Sequence, residues 1–403
     1  MGTQDTVTLI RSAIRGLLRV ADSTLAARLR CVLKRDDDYQ AAGKPVCDWD
    51  DKEARETRVD ALARDGHAIL AALDGQKLSG AVKQAAELLA TVLGQDLEQT
   101  EDERFRIARK VCRDRVLSTV DPDARHGHKT SSRKFDGYKG HIAIDPDSEI
   151  ITATDVTAGN VADGACAETL LDDLLNEDEP DAFSSEPQSA ASPPVADEST
   201  KEASFPTEES KREVYGDASY GTAEIVEKLE DANIAPFVKV QPPSMRDGKY
   251  TQDEFEIDHE AGTVRCPAGQ TVPLVENKDG GAKAAFGLHC TGCALRERCT
   301  SSKQGRTINL HPKHEMLHRV RQQQAHPEWK KTYQETRPKV ERKLGHMMRH
   351  RHRGRRARVR GTTRVGHDFS LLAAATNLKR LAALGLRTVN GRWSPPIVFQ
   401  PCY

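Results

Sequence analysis

The stretch EVYGDASYG, residues 213–221, decides the fold class of this chain. It is a short apolar strand that turns at Gly216, and helical spacing follows over residues 222–231. A strand, a turn and a helix in this order predict an α/β fold with Asp217 at the carboxyl edge of the strand. Active sites of open α/β sheets gather at that edge, but a lone aspartate there is more often a turn residue or a helix cap.

Periodic patterns on either side predict the other elements. Residues 137–157, GYKGHIAIDPDSEIITATDVT, predict a β-hairpin, because Pro146 suits the second position of a type I turn between two β-rich runs. Helical spacing from Val7 onward predicts an amphipathic helix at the start. The further predicted elements are helices at Val59–Leu73, Leu78–Leu93, Ala165–Leu175, Glu328–Met348 and Leu371–Leu384, and a strand at Arg115–Val120 that ends at Asp121.

The formal net charge of −1 over 403 residues hides a strong asymmetry. Acidic residues concentrate between Leu171 and Glu213, and basic residues between Arg337 and Arg364. Residues 176–211 are rich in Glu, Ser and Pro with few large apolar groups, which predicts a disordered insertion. A neutral total therefore does not argue against nucleic-acid binding, since the local field decides it.

The composition and the first residues also indicate the cellular compartment. No apolar run approaches the roughly 18 to 20 residues of a membrane span, and the start MGTQDT lacks the features of a signal peptide. Nine cysteines in a chain without an export signal are expected to stay reduced. We therefore expect a cytoplasmic protein.

A strip of basic residues surrounds a second candidate acid. The 32 residues from Thr336 to His367 hold 12 Lys or Arg and four His, and Glu341 is their only carboxylate. Such an acid makes sense if the strip lies on a polyanion and the acid holds a metal ion against a phosphate. The alternatives are an exposed glutamate paired with Arg337, worth about 0.2 to 0.5 kcal/mol, and a strip that is an RNA-binding tail or a solvated face. The residues expected to contact phosphate are Arg342, Lys343, Arg349, Arg351, Arg353, Arg355, Arg356, Arg358 and Arg360.

A second basic cluster starts at RHGHK, residues 125–129. Lys129 and Lys139 are expected to contact DNA there. The two histidines, His126 and His128, suit metal binding less well than DNA contact or packing, because they are spaced two apart in a predicted loop.

Four cysteines are candidate metal ligands. Cys266, Cys290, Cys293 and Cys299 lie in CPAG and CTGCALRERC and would supply four sulfurs to a tetrahedral zinc site. The five-residue gap before Cys299 is looser than in a typical second pair. Zinc binding and four reduced, partly buried thiols therefore both remain open.

Several segments together carry a family resemblance. They are TQDTVTL, STVDPDARHGHKT, FDGYKGHIAIDPDSEIITATDVTAGNVADG, VYGDASYGT, CPAG with CTGCALRERCT, RPKVERKLGHMMR and NLKRL. From about Gly2 to Leu386, broken by the acidic insertion, the chain resembles bacterial insertion-sequence transposases with a DDE catalytic domain. The resemblance implies an RNase H-like mixed sheet flanked by helices, with a helical N-terminal region and a β-rich, Cys-containing insertion. The implied parts are a helical region (1–110), the first part of the core (111–175), the disordered insertion (176–211), a core segment with Asp217 (212–241), the four-Cys insertion (242–327), the catalytic helix with the basic strip and C-terminal helix (328–386), and a tail (387–403).

The resemblance also implies roles for single residues. Asp217 matches the second catalytic aspartate, Glu341 the catalytic glutamate, and Arg337 the arginine on the same helix. The family's next basic residue is replaced by Met348, and Arg349 is its stand-in. In such enzymes three carboxylates hold two Mg²⁺ ions, or Mn²⁺ in their place. The implied partner is double-stranded DNA, both transposon ends and target, bound by a homodimer at the nucleoid.

The family's first aspartate falls upstream of TQDTVTL, so the chain is expected to be truncated and weakly active or inactive. Asp22 is better explained as a helix N-cap. Asp121 is a stronger chemical substitute, but the resemblance gives it no role. Besides an impaired transposase, a catalytically dead DNA-binding remnant and a zinc-stabilised interaction module remain as alternatives.

Overall fold

The computed structural model describes residues 3–34, 39–41, 44, 46–129, 132–176, 211–243, 247–349, 351–389 and 392–394. The predicted disordered insertion lies outside these residues, apart from its two end positions. The chain forms two compact units, one made of residues 1–162 with 342–403 and the other of residues 163–341.

The described chain begins with four helices, continues mainly with short strands and short helices, and has three longer helices between residues 314 and 383. The helices are α1 (Thr6–Val20), α2 (Ser23–Cys31), α3 (Lys52–Leu73), α4 (Gly80–Asp96), α5 (Ala167–Leu170), α6 (Asp172–Leu175), α7 (Ala223–Asp231), α8 (Arg296–Cys299), α9 (His314–Ala325), α10 (Pro327–Met347) and α11 (Thr362–Ala383). The strands are β1 (Leu97–Gln99), β2 (Phe105–Ile107), β3 (Arg125–His128), β4 (Lys134–Ile144), β5 (Ile151–Ala158), β6 (Glu213–Gly216), β7 (Ala235–Val238), β8 (Glu256–Asp258), β9 (Thr263–Arg265), β10 (Thr271–Pro273), β11 (Val275–Glu276), β12 (Ala282–Ala285), β13 (Thr307–Leu310), β14 (Arg387–Val389) and β15 (Arg392–Ser394).

The strands pair in several small sheets: β1–β2, β3–β4–β5, β6–β7, β8–β9–β10, β11–β12–β13 and β14–β15. The α/β class is therefore confirmed, whereas the RNase H-like arrangement of the core stays a prediction. None of the helices within the described ranges combines the length and the apolar content that a bilayer crossing requires.

In the first unit, the N-terminal core forms between α1, α3 and α4. The predicted amphipathic helix is confirmed as α1, where Ile10, Ile14 and Leu17 are fully buried. Helix α3 starts at Lys52, earlier than predicted, because Asp51 caps it by accepting hydrogen bonds from two backbone nitrogens. These helices bury one continuous set of apolar side chains.

The strand predicted at Arg115–Val120 is wrong. Its backbone is bonded by side chains instead of a neighbouring strand: Gln95 Oε1 accepts from the Val116 nitrogen at 2.8 Å, and Gln4 Oε1 accepts from the Thr119 nitrogen at 2.9 Å. The segment is anchored by Arg115, whose guanidinium donates from Nε to Asp96 Oδ1 at 2.6 Å. Asp96 is 5% exposed, so this ion pair is buried.

The predicted hairpin is confirmed as β4 and β5, which pair antiparallel. Asp145 closes the turn by accepting through Oδ2 from the Ser148 nitrogen at 3.0 Å. Helix α11 packs against the hairpin, and a Cβ at Gly140 would lie 2.8 Å from the ring of Phe369. Asn377 on the same helix bonds both the nitrogen and the carbonyl of Ile151, at 2.9 and 2.8 Å.

In the second unit, β6 and β7 pair in parallel and α7 connects them. The predicted strand and helix are confirmed as β6 and α7, whereas β7 was not predicted. Thr222 caps α7 by accepting from the Ile225 nitrogen at 3.4 Å. The helix predicted at Ala165–Leu175 is split into a 3₁₀ turn, α5 and α6, with Leu171 outside both helices. The predicted helix over residues 328–348 is confirmed as α10.

Candidate active site

Asp217 follows the last residue of β6, at the carboxyl edge of the parallel pair. Its Oδ1 accepts a hydrogen bond from the Ser219 nitrogen at 2.9 Å, and its backbone carbonyl accepts one from the Tyr220 nitrogen at 3.1 Å. The aspartate therefore shapes the turn in the ordinary way. Its side chain is still 44% exposed, which leaves Oδ2 available for other contacts.

Two glycines fix the path of this turn. A Cβ at Gly221 would lie 2.0 Å from the carbonyl oxygen of Lys239, and a Cβ at Gly216 would lie 3.0 Å from Val238 Cγ1. Because both obstacles belong to β7 or the residue after it, any larger residue would push the turn away from the strand pair. The glycines thus set the position of Asp217.

Arg337 and Glu341 lie one turn apart on α10. Arg337 Nη2 is 3.4 Å from Asp217 Oδ2, and Nη1 is 3.6 Å from Glu341 Oε1. One guanidinium therefore lies between two carboxylates that are far apart in the chain. The structure thus brings together Asp217, Arg337 and Glu341, three of the residues to which the resemblance gives roles.

The Arg337 side chain is only 14% exposed. Its Nε and Nη1 are buried and form no hydrogen bond to any residue that the structure describes. Buried donors without acceptors are costly, by about 1 to 3 kcal/mol each. The charge of Arg337 therefore acts mainly on the two carboxylates beside it, which its planar, forked guanidinium can contact together.

Tyr333 belongs to this site, although the sequence pattern did not single it out. Its hydroxyl donates to the Gly216 carbonyl at 3.1 Å and joins α10 to the end of β6. Burial raises the pKa of Tyr333, Arg337 opposes this rise, and Asp217 adds to it, so the hydroxyl stays a donor. The available signal was its position one turn before Arg337 and two turns before Glu341.

The two weaker candidates for a first acid have structural contacts. Asp22 Oδ1 accepts from the Leu25 nitrogen at 2.9 Å and caps α2, which confirms the prediction of an N-cap. Asp121 is fully buried, and its Oδ1 accepts from the Tyr138 hydroxyl and, at 3.1 Å, from the Gly361 nitrogen. Asp121 thereby anchors the residue that precedes α11.

The basic strip, defined as residues 342–361, follows Glu341 directly in the sequence. Arg342 and Lys343 pair with Glu149, and Arg358 pairs with Asp368. Six other arginines are exposed and have no ion pair with any acid in the described part of the chain: Arg349, Arg351, Arg353, Arg355, Arg356 and Arg360.

Burial and, to a smaller extent, neighbouring cations shift the pKa values of two groups in the strip. Burial lowers the pKa of His346, and His352 and Arg349 lower it further. Burial also lowers the pKa of Lys343, although Glu149 opposes the change. A bound polyanion would reduce the electrostatic repulsion among these neighbouring cations.

In the second basic cluster, around residues 125–139, several side chains are already bonded within the chain. Lys129 is exposed, whereas Lys139 donates from Nζ to the Val161 carbonyl at 2.8 Å. His126 Nδ1 lies 2.7 Å from Asp136 Oδ1, and its ring contacts that of His128 edge to face. The histidines therefore pack with their neighbours.

The four cysteines Cys266, Cys290, Cys293 and Cys299 line one cavity in the second unit. All four are free thiols, and Cys290 and Cys299 are buried. In the arrangement of the described residues, no three His, Cys, Asp or Glu side chains are grouped closely enough to hold a metal ion as they stand.

Comparison with known protein families gives one match. Residues 265–382 match the family described as the transposase DDE domain, a span that includes the four cysteines, Arg337 and Glu341 but not Asp217. No curated protein and no solved structure matches the chain.

Proposed function

We propose that this chain, an insertion-sequence transposase with a DDE domain, cleaves DNA at the ends of its element and joins those ends to a target. The observation that carries the proposal is the convergence of Asp217 and Glu341 on the guanidinium of Arg337. An RNase H-like core would supply these acids from a strand end and a helix. Asp217 after β6 and Glu341 on α10 have those origins.

The two carboxylates suit a divalent cation. Both are oxygen donors, which Mg²⁺ and Mn²⁺ prefer, and they are 44% and 67% exposed. When bound, such an ion would stabilise the oxygen that attacks phosphorus and the oxygen that leaves it. Asp217 and Glu341 would hold it, with further oxygen ligands from DNA and water.

The neighbouring residues position these acids. Arg337 holds the Asp217 side chain toward α10, and Tyr333 fixes α10 to the end of β6. The positive charge of Arg337 would stabilise the negative charge that develops on the phosphate at which a P–O bond breaks. Attack by water would break the P–O bond and leave a 3′-hydroxyl. This hydroxyl would then attack a target phosphodiester, forming a new P–O bond as the target's own 3′-oxygen leaves and takes up a proton.

The basic strip would bind the DNA backbone. Exposed arginines without acidic partners can neutralise phosphates and release counterions, without reading the sequence. Lys129 would add a contact from the second basic cluster. The partner is double-stranded DNA, and we expect a homodimer to act on it at the nucleoid in the bacterial cytoplasm.

The test is cleavage of duplexes that carry the terminal repeats of the element, with Mg²⁺ or Mn²⁺. We expect metal-dependent cleavage by the natural chain and its loss in Asp217→Asn and in Glu341→Gln. Lys83→Ala, a change in an exposed pair with Glu87 on α4, is the matched control and should cleave normally.

A second measurement separates catalysis from binding. With Ca²⁺ in place of Mg²⁺, the affinity for DNA should rise in the natural chain and not in Glu341→Gln. The proposal would be overturned if the chain binds DNA in a salt-sensitive way but does not cleave it, and if neither metal nor Glu341→Gln changes the affinity. That result would favour a DNA-binding remnant. Absence of DNA binding at low salt would favour the interaction module.

A further inference from the structure

We propose that Cys266, Cys290, Cys293 and Cys299 bind one Zn²⁺ as a closed structural site that stabilises the insertion formed by β8–β13. The inference does not depend on the catalytic proposal, because it concerns a cavity distinct from Asp217 and Glu341. It takes up one of the two alternatives that the spacing of the cysteines leaves open.

The four sulfurs belong to one place in the fold. All four cysteines line the same cavity, together with the rings of Tyr250, Phe255 and Phe286. Cys299 lies within electrostatic range of the other three. Four thiols gathered under aromatic side chains match the donor set of a structural zinc site, in which no position is left for substrate.

Two tight turns present these thiols. After Cys266 the chain turns back, the Gly269 nitrogen donates to the Cys266 carbonyl at 2.8 Å, and Gly269 has φ +80°. Between Cys290 and Cys293, Gly292 has φ +74°. Each turn places a left-handed glycine within three residues of a cysteine, a conformation that other residues rarely adopt.

Two arginines hold the segments that carry the buried cysteines. The backbone nitrogen of Arg306 donates to Cys290 Sγ at 3.3 Å, and its guanidinium donates to the Cys299 carbonyl at 3.3 Å. Arg296 donates to the Cys290 carbonyl at 2.9 Å. These bonds fix the backbone on which Cys290 and Cys299 sit, so that both side chains stay in the cavity.

The insertion has little else to hold it together. Its strands are two to four residues long, and its core is a small set of buried residues that includes Cys290 and Cys299 themselves. Small folds with such cores usually need a disulfide or a metal. The four cysteines are free thiols, and a bound metal would add a cross-link to this small core.

The sulfurs do not yet form a cluster ready for an ion within the described residues. Zinc binding therefore requires rotation of cysteine side chains within the cavity. Rotation about the Cα–Cβ bond moves a sulfur without disturbing the two turns.

The experiment uses the full chain, purified under reducing conditions, with zinc measured by mass spectrometry of the metal. We expect about one zinc per chain in the natural protein and in Cys112→Ser, a matched change at an exposed cysteine outside the insertion. Cys293→Ser should lose most of the metal; it is half-buried and less disruptive than a change at Cys290.

Cobalt provides a readout that needs no variant. After removal of zinc, Co²⁺ alone should give sulfur-to-cobalt charge-transfer bands and the intense visible bands of tetrahedral coordination. Removal of metal by a chelator should also lower the melting temperature of the natural chain. Less than about 0.1 zinc per chain and no cobalt bands, or disulfides among these cysteines after alkylation, would overturn the inference.

Discussion

Arg337 donates through Nη2 to the carboxylate of Asp217 at 3.4 Å, although 120 positions separate the two residues. The contact joins the turn after β6 to α10, and the same guanidinium lies 3.6 Å from Glu341. Two carboxylates that lie this close to the same guanidinium could also bind a divalent ion.

Arg337→Ala should leave the acids without their shared partner. We expect metal-dependent cleavage to fall by about 10² or more, because a donor aimed at developing charge is lost. Arg337→Lys should restore only part of the rate, since an ammonium cannot contact both acids in a fixed geometry. Single-turnover cleavage measures the effect. Arg319→Ala, which breaks an exposed pair with Glu230, is the control. A natural rate in Arg337→Ala would rule out this role.

The exposed arginines of the basic strip should set the salt dependence of DNA binding. Replacing both Arg355 and Arg356 by alanine should reduce the slope of log K against log salt by about 0.9 for each lost phosphate contact. Affinity should fall by a similar factor for related and unrelated sequences. Titrations at several salt concentrations give the slope, with Arg19→Ala on α1 as control. An unchanged slope would place DNA elsewhere.

The buried pair of Asp96 and Arg115 should dominate local stability in the first unit. Asp96→Ala leaves the Arg115 guanidinium without its partner and should cost about 3 to 5 kcal/mol in the free energy of unfolding. Glu98→Ala, which removes an exposed pair with Arg106, should cost no more than about 1 kcal/mol. Urea unfolding followed by circular dichroism compares the two variants. Equal costs would show that burial does not decide the energetics here.

His314 should make stability depend on pH. Burial, together with the nearby His259, Arg321, His318 and His311, lowers its pKa to about 4. The unfolded chain, with a pKa of about 6.5, then binds the proton more readily than the folded chain. The full stability is present above about pH 6.5 and declines as pH falls toward 4, by up to about 1.4 kcal/mol per unit.

Unfolding at pH 7 and pH 5 tests this dependence. The loss of stability between the two values should be smaller in His314→Gln, which cannot take up the proton. His367→Gln on α11 should keep the natural dependence. The same decline in both variants would assign the effect to other groups.

Elements with a clear period were predictable from the sequence. Helices α1 and α7 and the β4–β5 hairpin were found because side-chain spacing and turn residues act locally. Helix α11 begins at Thr362, well before the predicted Leu371, since its first turns are mostly polar and carry no apolar period. The segment at Arg115–Val120 has strand-like composition, but distant glutamine side chains bond its backbone.

The sequence identified residues of the candidate site but not how they are arranged. Asp217 and Glu341 stand out by residue type and setting, the first after a strand and the second alone among basic residues. That one guanidinium contacts both, and that Tyr333 bonds the end of β6, depends on tertiary packing between β6 and α10. No local pattern encodes such a contact.

The turn that carries Asp217 leaves almost no room for sequence change. At Gly221 even one added methyl group would lie 2.0 Å from a backbone oxygen, which cannot move aside as a flexible side chain can. A random library screened for faster variants should therefore return only glycine at this position. Improved sequences would have to come from surfaces that the strand pair does not constrain.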